Sequence, residues 1–229
     1  MKGCSGIRWS GRTVKGVVFD VDGTLTDSIE AYYAIFRDTC ARFGIRVQRE
    51  DVLEPMAVGA NIWDRVIPQD LPGREEKLSQ CRRVIPGVFS DVIRQVKPFP
   101  GLKTVLSRLR DKGIRLGILT SSWKPALLPL SENNLIQYFE AIITREDSFA
   151  PKPSPEGMLE CLSRIGISPD CALTVGDSPL DIRAGKMAGA LTIAVLSGIA
   201  SRGQLETEEP TAIIDDVSQI TGLLSGNQA

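Results

Sequence analysis

The sequence predicts an α/β protein: a doubly wound parallel sheet with an all-helical domain inserted directly after the first strand. Three observations lead there. Short apolar runs alternate with amphipathic helical stretches along most of the chain, the pattern of parallel strands joined by helical crossovers. Between about residues 28 and 97 this alternation stops, and no convincing strand is found. The first apolar run, Val17-Val18-Phe19 after Gly16, ends on Asp20, Asp22, Gly23 and Thr24. Ligands of open α/β sheets sit at the carboxyl ends of strands, and carboxylates this close repel unless a cation or a proton shares the site.

The elements follow in order. Residues 1–15, MKGCSGIRWSGRTVK, read as a loose, mildly basic extension without the apolar stretch of a secretory signal. After the first strand, Ile29, Tyr32, Phe36, Cys40 and Phe43 recur at three- and four-residue spacing. That is one face of a helix from Ser28, closed by Gly44, with Asp27 and Glu30 spaced as an N-cap and its reciprocal acid. Residues 46–97 continue as helical material, cut into short helices by Pro55, Pro68, Pro72 and Pro86. KPFPG at 97–101 reads as a linker.

Leu102, Val105, Leu106 and Leu109 then mark a helix ending at Gly113, followed by a strand from Ile114 to Thr120. A helix near Lys124 to Asn134 and a short strand at Ala141 to Thr144 come next. Ser154 and Pro155 read as an N-cap and first helical residue, opening a helix with Met158, Leu159, Leu162 and Ile165 that stops at Gly166. A strand ending at Asp177, a helix from Pro179 to Gly189, the strand LTIAVL and a weaker strand at Ala212 to Ile214 complete the sheet. The division is a core of residues 1–24 and 99–229 and a helical domain of residues 25–98.

Composition narrows the function. The 229 residues carry 27 basic and 28 acidic side chains, a net charge of −1 that argues against a nucleic-acid footprint. No apolar run reaches the roughly 18 residues of a transmembrane helix. Five scattered cysteines, Cys4, Cys40, Cys81, Cys161 and Cys171, suit reduced thiols in a cytoplasmic protein. There is no histidine, which removes Ser-His-Asp and Cys-His catalysis and His-ligated zinc. No glycine-rich phosphate loop or dinucleotide fingerprint is present. Acid and base chemistry falls to carboxylates, lysine, tyrosine or cysteine.

Four polar clusters lie at the carboxyl ends of predicted strands or in the loops beyond: Asp20 with Asp22, Thr120 with Ser121, Lys152 in APKPSP, and Asp177 with Asp181 in VGDSPLD. Each has a structural reading: Thr120 as a helix cap, Lys152 as a solvated loop charge, Asp177 as a turn residue, Asp181 as a first-turn acid. In a doubly wound sheet those ends share one edge, so the four can converge.

The constellation resembles the haloacid dehalogenase superfamily of phosphotransferases. DVDGT at 20–24 is similar to its first motif, Thr120 after GIL to its second, Lys152 before Pro153 to its third, and GDSPLD at 176–181 to its fourth, in the same order over roughly residues 15–224. Hydrolytic dehalogenases of the superfamily lack an aspartate at the place of Asp22, so the resemblance points to phosphoryl transfer on a Rossmann-like core. DGTLTDS, PFPG, YFEAII, APKPSPEG and GDSPLDIRAGKMAGA are together most similar to its phosphoglycolate phosphatase-like branch.

The resemblance implies a small phosphorylated metabolite as substrate. Asp20 would be the nucleophile, forming an aspartyl phosphate, and Asp22 the general acid and base. Mg²⁺ would be held by Asp20, the backbone carbonyl of Asp22 and Asp177, with Asp181 an orienting residue or a further ligand. Thr120, Ser121, Gly23, Thr24 and nearby backbone N–H groups would hold the phosphoryl oxygens, and Lys152 would add positive charge. Residues 25–98 resemble the helical cap of the superfamily's first cap class, hinged at 24–28 and 96–101. Within it VGANIWDRV, with Gly59, Asn61 and Arg65, is the expected substrate-reading loop; Arg65 is open to two readings, a partner for a substrate carboxylate or a surface helix charge.

Other readings remain open. A mutase resembling β-phosphoglucomutases, or a pyrophosphatase, fits the same scaffold. Phosphonate hydrolysis would need a Schiff-base lysine in the cap, and Lys77, the only lysine between Lys15 and Lys97, stands in a solvated setting. A phospho-accepting receiver module or a non-catalytic binding protein is the alternative of another class, although receivers are about half this length and lack the insertion. Monomer and homodimer both fit.

Overall fold

A computed structural model describes residues 6–147 and 150–224. Its main sheet has six parallel strands: β3 (Gly16–Phe19), β4 (Arg115–Leu119), β5 (Ala141–Ile143), β6 (Ala172–Gly176), β7 (Leu191–Val195) and β8 (Ala212–Ile214). They stand in the order β5-β4-β3-β6-β7-β8, all neighbours parallel. Phe19 is in register with Ile118 on one side and Val175 on the other, so three strands end at the same level. That register brings the predicted polar clusters to one edge.

The sheet is covered on both faces, as parallel sheets require. Side chains alternate along a strand. Val17 and Phe19 of β3 therefore join Leu106, Leu109, Ile118 and Ile193, on the face taken by α5 (Leu102–Asp111) and α10 (Ile220–Leu223). Val18 faces the other way, into Met158, Cys161 and Leu162 of α7 (Glu156–Arg164), with α8 (Pro179–Ala188) beside it. A fully buried Phe19 or Leu106 contributes about 1.5–3 kcal/mol by leaving water. The helix expected near Lys124 to Asn134 is a 3-10 turn at Lys124–Leu127 running into a short α6 (Leu128–Glu132). A further helix, α9 (Arg202–Thr207), follows β7.

Between β3 and α5 lie four helices: α1 (Ile29–Ala41), α2 (Arg49–Val58), α3 (Ile62–Val66) and α4 (Arg74–Ile93). They have an apolar cluster of their own, including Phe36, Cys40, Val52, Ile67, Leu78 and Cys81, with Ile199 of the core packed against it. The incoming and outgoing segments run side by side. Asp27 N–H donates to Lys97 O at 3.0 Å and Phe99 N–H to Leu25 O at 3.0 Å.

Three expectations are corrected. The N-terminal extension is not loose where it is described: β1 (Ile7–Trp9) and β2 (Arg12–Val14) form an antiparallel hairpin through Ser10 and Gly11, both at positive φ. Trp9 and Val14 are buried, and Arg12 donates to the carbonyls of Asp170, Pro169 and Gly189. Pro55 and Pro86 do not end helices. α4 runs through exposed Pro86 for 20 residues, because burial of Leu78, Cys81, Val88 and Ile93 outweighs the roughly 3 kcal/mol of an interior proline. The N-cap of α1 is Ser28, not Asp27, and its hydroxyl is turned toward another partner. Cys4 lies outside the described residues; Cys40, Cys81, Cys161 and Cys171 are free thiols. Among the described residues no helix is long and apolar enough to cross a membrane.

Candidate active site

The end of β3 delivers Asp20 into a buried group of charges. Its backbone N–H continues the ladder to Val175 O at 2.9 Å. Lys152 reaches in from the loop before α7, donating to Asp20 Oδ1 at 2.6 Å and Asp181 Oδ1 at 2.5 Å. Asp177, just past β6, completes the group: one oxygen from each of Asp20, Asp177 and Asp181 lies within 4.8 Å of the others. Asp181 is also the capping-box acid of α8, accepting from the backbone N–H of Ser178 at 3.1 Å. Asp177 Oδ2 accepts from Ile199 N–H at 2.7 Å. The carboxylate is walled by glycines: a Cβ on Gly198 would stand 1.9 Å from Asp177 Oδ2, and one on Gly23 2.6 Å away.

Asp22 is two residues on and is held differently. Its Oδ1 accepts from Ser28 Oγ at 2.8 Å. Its Oδ2 accepts from Ser122 Oγ at 2.6 Å and from the Tyr32 hydroxyl at 3.0 Å. The side chain of Asp22 is therefore bound to neutral hydroxyls and stands outside the Asp20–Asp177–Asp181 cluster.

The electrostatics follow from burial. Three buried carboxylates face one ammonium. Burial pushes Asp20 well above the usual carboxylate range; Lys152 opposes that, while Asp181, Asp177 and Asp22 add to it. Burial, and then the charge of Asp181, raises Asp177 to about 7. For Lys152 burial works against the charge, but Asp181 and Asp20 overcome it and hold the ammonium above its ordinary value. Burial also raises Asp22, against the three hydroxyls that favour its charged form. The excess of negative charge in a set of hard oxygen donors fits a divalent cation such as Mg²⁺.

The remaining residues divide. Thr120 is buried at the end of β4, and its Oγ1 accepts from Ser122 N–H at 3.0 Å, so it caps that turn. Ser121 is exposed, and the next serine, Ser122, is the one that reaches Asp22. Thr24 is fully buried with no hydrogen-bond partner for its hydroxyl, and Gly23 takes a positive φ of 75°. In the insertion, Gly59 ends α2 at a positive φ against Leu180 of α8. Asn61 caps α3 by accepting from Trp63 N–H, and Arg65, 57% exposed, pairs with Asp51 and Glu54 of α2. A crevice of about 200 Å³ separates α1 and α2 from the Gly198–Ile199 loop beside Asp177.

Ser28, Tyr32 and Ser122 were not anticipated as site residues. Tyr32 fits the apolar face of its helix, and nothing in the spacing distinguishes its hydroxyl. For Ser28 and Ser122 a signal exists: each is a small polar residue directly after a motif that ends a strand or turn.

Comparison with known proteins identifies the family and the fold. Residues 17–195 match the model of a family described as haloacid dehalogenase-like hydrolases. The chain is 28% identical to a phosphoglycolate phosphatase of Salmonella paratyphi A, over 91% of this chain and 92% of that one. It is also 28% identical to the pyrophosphatase PpaX of Bacillus mycoides, over 93% of this chain and 97% of the relative. The crystal structure of a predicted phosphoglycolate phosphatase from Haemophilus somnus has a TM-score of 0.82 at 20% identity, covering 92% of this chain and 97% of that chain, and so shares the fold.

Proposed function

The chain belongs to the haloacid dehalogenase-like hydrolase family, and we propose that it is a Mg²⁺-dependent phosphatase acting on a small phosphate monoester of the phosphoglycolate kind through an aspartyl phosphate. One observation carries this reading. Two carboxylates at one strand end have separate surroundings, Asp20 among charges and Asp22 among hydroxyls. That suits a nucleophile beside a general acid.

An Asp20 carboxylate oxygen attacks phosphorus in line, forming the P–O bond of the aspartyl phosphate as the bond to the leaving oxygen breaks. Asp22 gives its proton to that leaving oxygen. Asp22 then takes a proton from water, the water oxygen attacks phosphorus, and the bond to Asp20 breaks to release phosphate and the free carboxylate. Lys152 keeps Asp20 oriented and offers positive charge to the phosphoryl oxygens. Asp20, Asp177 and the Asp22 carbonyl would hold Mg²⁺, with Asp181 orienting Lys152 or serving as a further ligand, and the ion would offset phosphoryl and carboxylate charge so that anion could attack anion. Thr120, Ser121, Gly23 and Thr24 are assigned to the phosphoryl group.

Residues 25–98 are read as a cap that excludes water and selects the leaving group, the paired segments at 24–28 and 96–101 serving as its hinge. Gly59, Asn61 and Arg65 belong to that selecting loop, with Arg65 free for a ligand only after releasing Asp51 and Glu54. The relative named a pyrophosphatase, at equal identity, supports pyrophosphate as a second candidate.

The test is turnover of phosphoglycolate, other small esters and pyrophosphate, with Mg²⁺ and with chelator, joined to hydroxylamine or borohydride trapping. Mg²⁺-dependent release of phosphate and a label on Asp20 are expected. Full activity without divalent ions, or a label elsewhere, overturns the reading.

A further inference from the structure

We infer that Tyr32 is a positioning residue through which the helical insertion sets the aim of Asp22. The inference rests on the acid–base role proposed for Asp22. A buried carboxylate needs hydrogen bonds, and Ser28 and Ser122 already supply one to each oxygen. The Tyr32 hydroxyl adds a third, at 3.0 Å to Oδ2, and is itself 2.6 Å from Ser122 Oγ.

The origins of the three hydroxyls matter. Ser28 lies at the end of the incoming linker, Ser122 in the core loop after β4, and Tyr32 one turn into α1 of the insertion. Ser122 is fixed to the core, since its N–H donates to Thr120 Oγ1 at 3.0 Å and its carbonyl accepts from Arg145 N–H at 3.1 Å. Tyr32 is fixed to the insertion, its ring packed edge-on against Phe89 of α4 with centroids 5.9 Å apart. The Tyr32–Ser122–Asp22 triangle therefore closes only when α1 and α4 are seated on the core. Asp22 is held at its working angle in that arrangement, and loses one of its two Oδ2 partners when the insertion lifts.

Such a residue has a kinetic signature. A leaving group that departs readily as an anion needs little protonation, whereas an alkoxide needs a well-aimed acid. The experiment measures kcat/KM, which reports the step that expels the leaving group, on phosphate monoesters graded from nitrophenyl through phenyl to alkyl. It compares wild type, Tyr32→Phe, Asp22→Asn and the double variant with Mg²⁺ present.

Phenylalanine keeps the ring contact with Phe89. We expect Tyr32→Phe to lose about tenfold or more on the alkyl ester but less than about threefold on the nitrophenyl ester, the scale of one hydrogen bond to a charged group. The double variant should be no worse than Asp22→Asn. Ser122→Ala makes the same test from the core side should Tyr32→Phe fold poorly, and should steepen the leaving-group dependence likewise. Equal losses on all esters, no loss, or additive losses in the double variant overturn the inference. A steep Asp22→Asn beside a flat Tyr32→Phe removes Tyr32 alone. A flat Asp22→Asn removes the acid–base role, and the inference with it.

Discussion

The surroundings of Asp20 are supplied entirely by the core: Lys152 from the loop before α7, Asp177 after β6, Asp181 in α8. Those of Asp22 are shared, with one hydroxyl from the core, one from the linker and one from the insertion. The first group balances fixed charges, so its state depends on which cation is present. The second holds a carboxylate through hydroxyls and, among the described residues, with no cation in hydrogen-bond reach. On the proposed reading, the contrast would separate bond-making, arranged by the core alone, from proton delivery, which would draw on both parts of the molecule.

The sharpest way to break this contrast is at Asp20. Asp20→Asn keeps the shape but removes the proposed nucleophile, and turnover of every ester should fall by about a thousandfold or more while the fold survives. Residual activity within tenfold of wild type would transfer the nucleophile's role elsewhere.

Lys152→Ala should come next. It strips buried Asp20 and Asp181 of their shared ammonium partner, and breaking a buried ion pair costs about 3–5 kcal/mol. Denaturation in chelator should show that loss, Mg²⁺ should recover part of it, and activity should fall alike on activated and unactivated esters. A loss confined to poor leaving groups would place Lys152 on the Asp22 side.

A smaller effect is expected from pH. Asp177 binds its proton more tightly in the folded chain, about 7 against an ordinary 3.8. The folded state thus holds more protons between those values, and this contribution to stability is present below about 4 and is lost as pH rises through about 7. Denaturation of metal-free protein across that window should show the decline, and Asp177→Asn or saturating Mg²⁺ should flatten it. A rise in stability with pH that Asp177→Asn abolishes would reverse the sign assigned here.

The smallest change is expected at Arg65. Its partners Asp51 and Glu54 lie in the insertion and it is largely exposed, so Arg65→Ala should alter stability by less than about 1 kcal/mol. Carboxylate-bearing and neutral esters should lose equally if Arg65 stays in that network. A selective loss on the carboxylate esters would show that it leaves Asp51 and Glu54 to meet substrate.

The sheet was legible because each parallel strand is a short apolar run ending in polar residues, and because the motifs stand at those ends. The hairpin at Ile7–Val14 was not, although Ser10-Gly11 is a two-residue turn of the kind that tolerates positive φ twice. Its strands are three residues long, and Trp9 is buried by elements distant in sequence. Pro55 and Pro86 misled for a related reason: local preference was outweighed by packing that only the assembled helices provide. Of the site, Asp20, Lys152, Asp177 and Asp181 converge as the strand ends suggested. The hydroxyl of Tyr32 was hidden, because its partner is settled by how an insertion sits on a core. No periodicity records that.

The central place of β3 has a consequence for amide hydrogen exchange. Both edges of this strand are paired, and all four of its residues are buried. Its amide hydrogens should exchange with solvent deuterium only through global unfolding, as core strands do. The α1 amides, bonded within their own helix as Tyr32 N–H is to Ser28 O at 3.1 Å, can instead exchange when the insertion unfolds by itself. Protection along β3 would then read the free energy of the whole core, and protection along α1 the smaller free energy of unfolding the insertion. The difference between them would measure directly how much more persistent the seat of Asp20 is than the grip on Asp22.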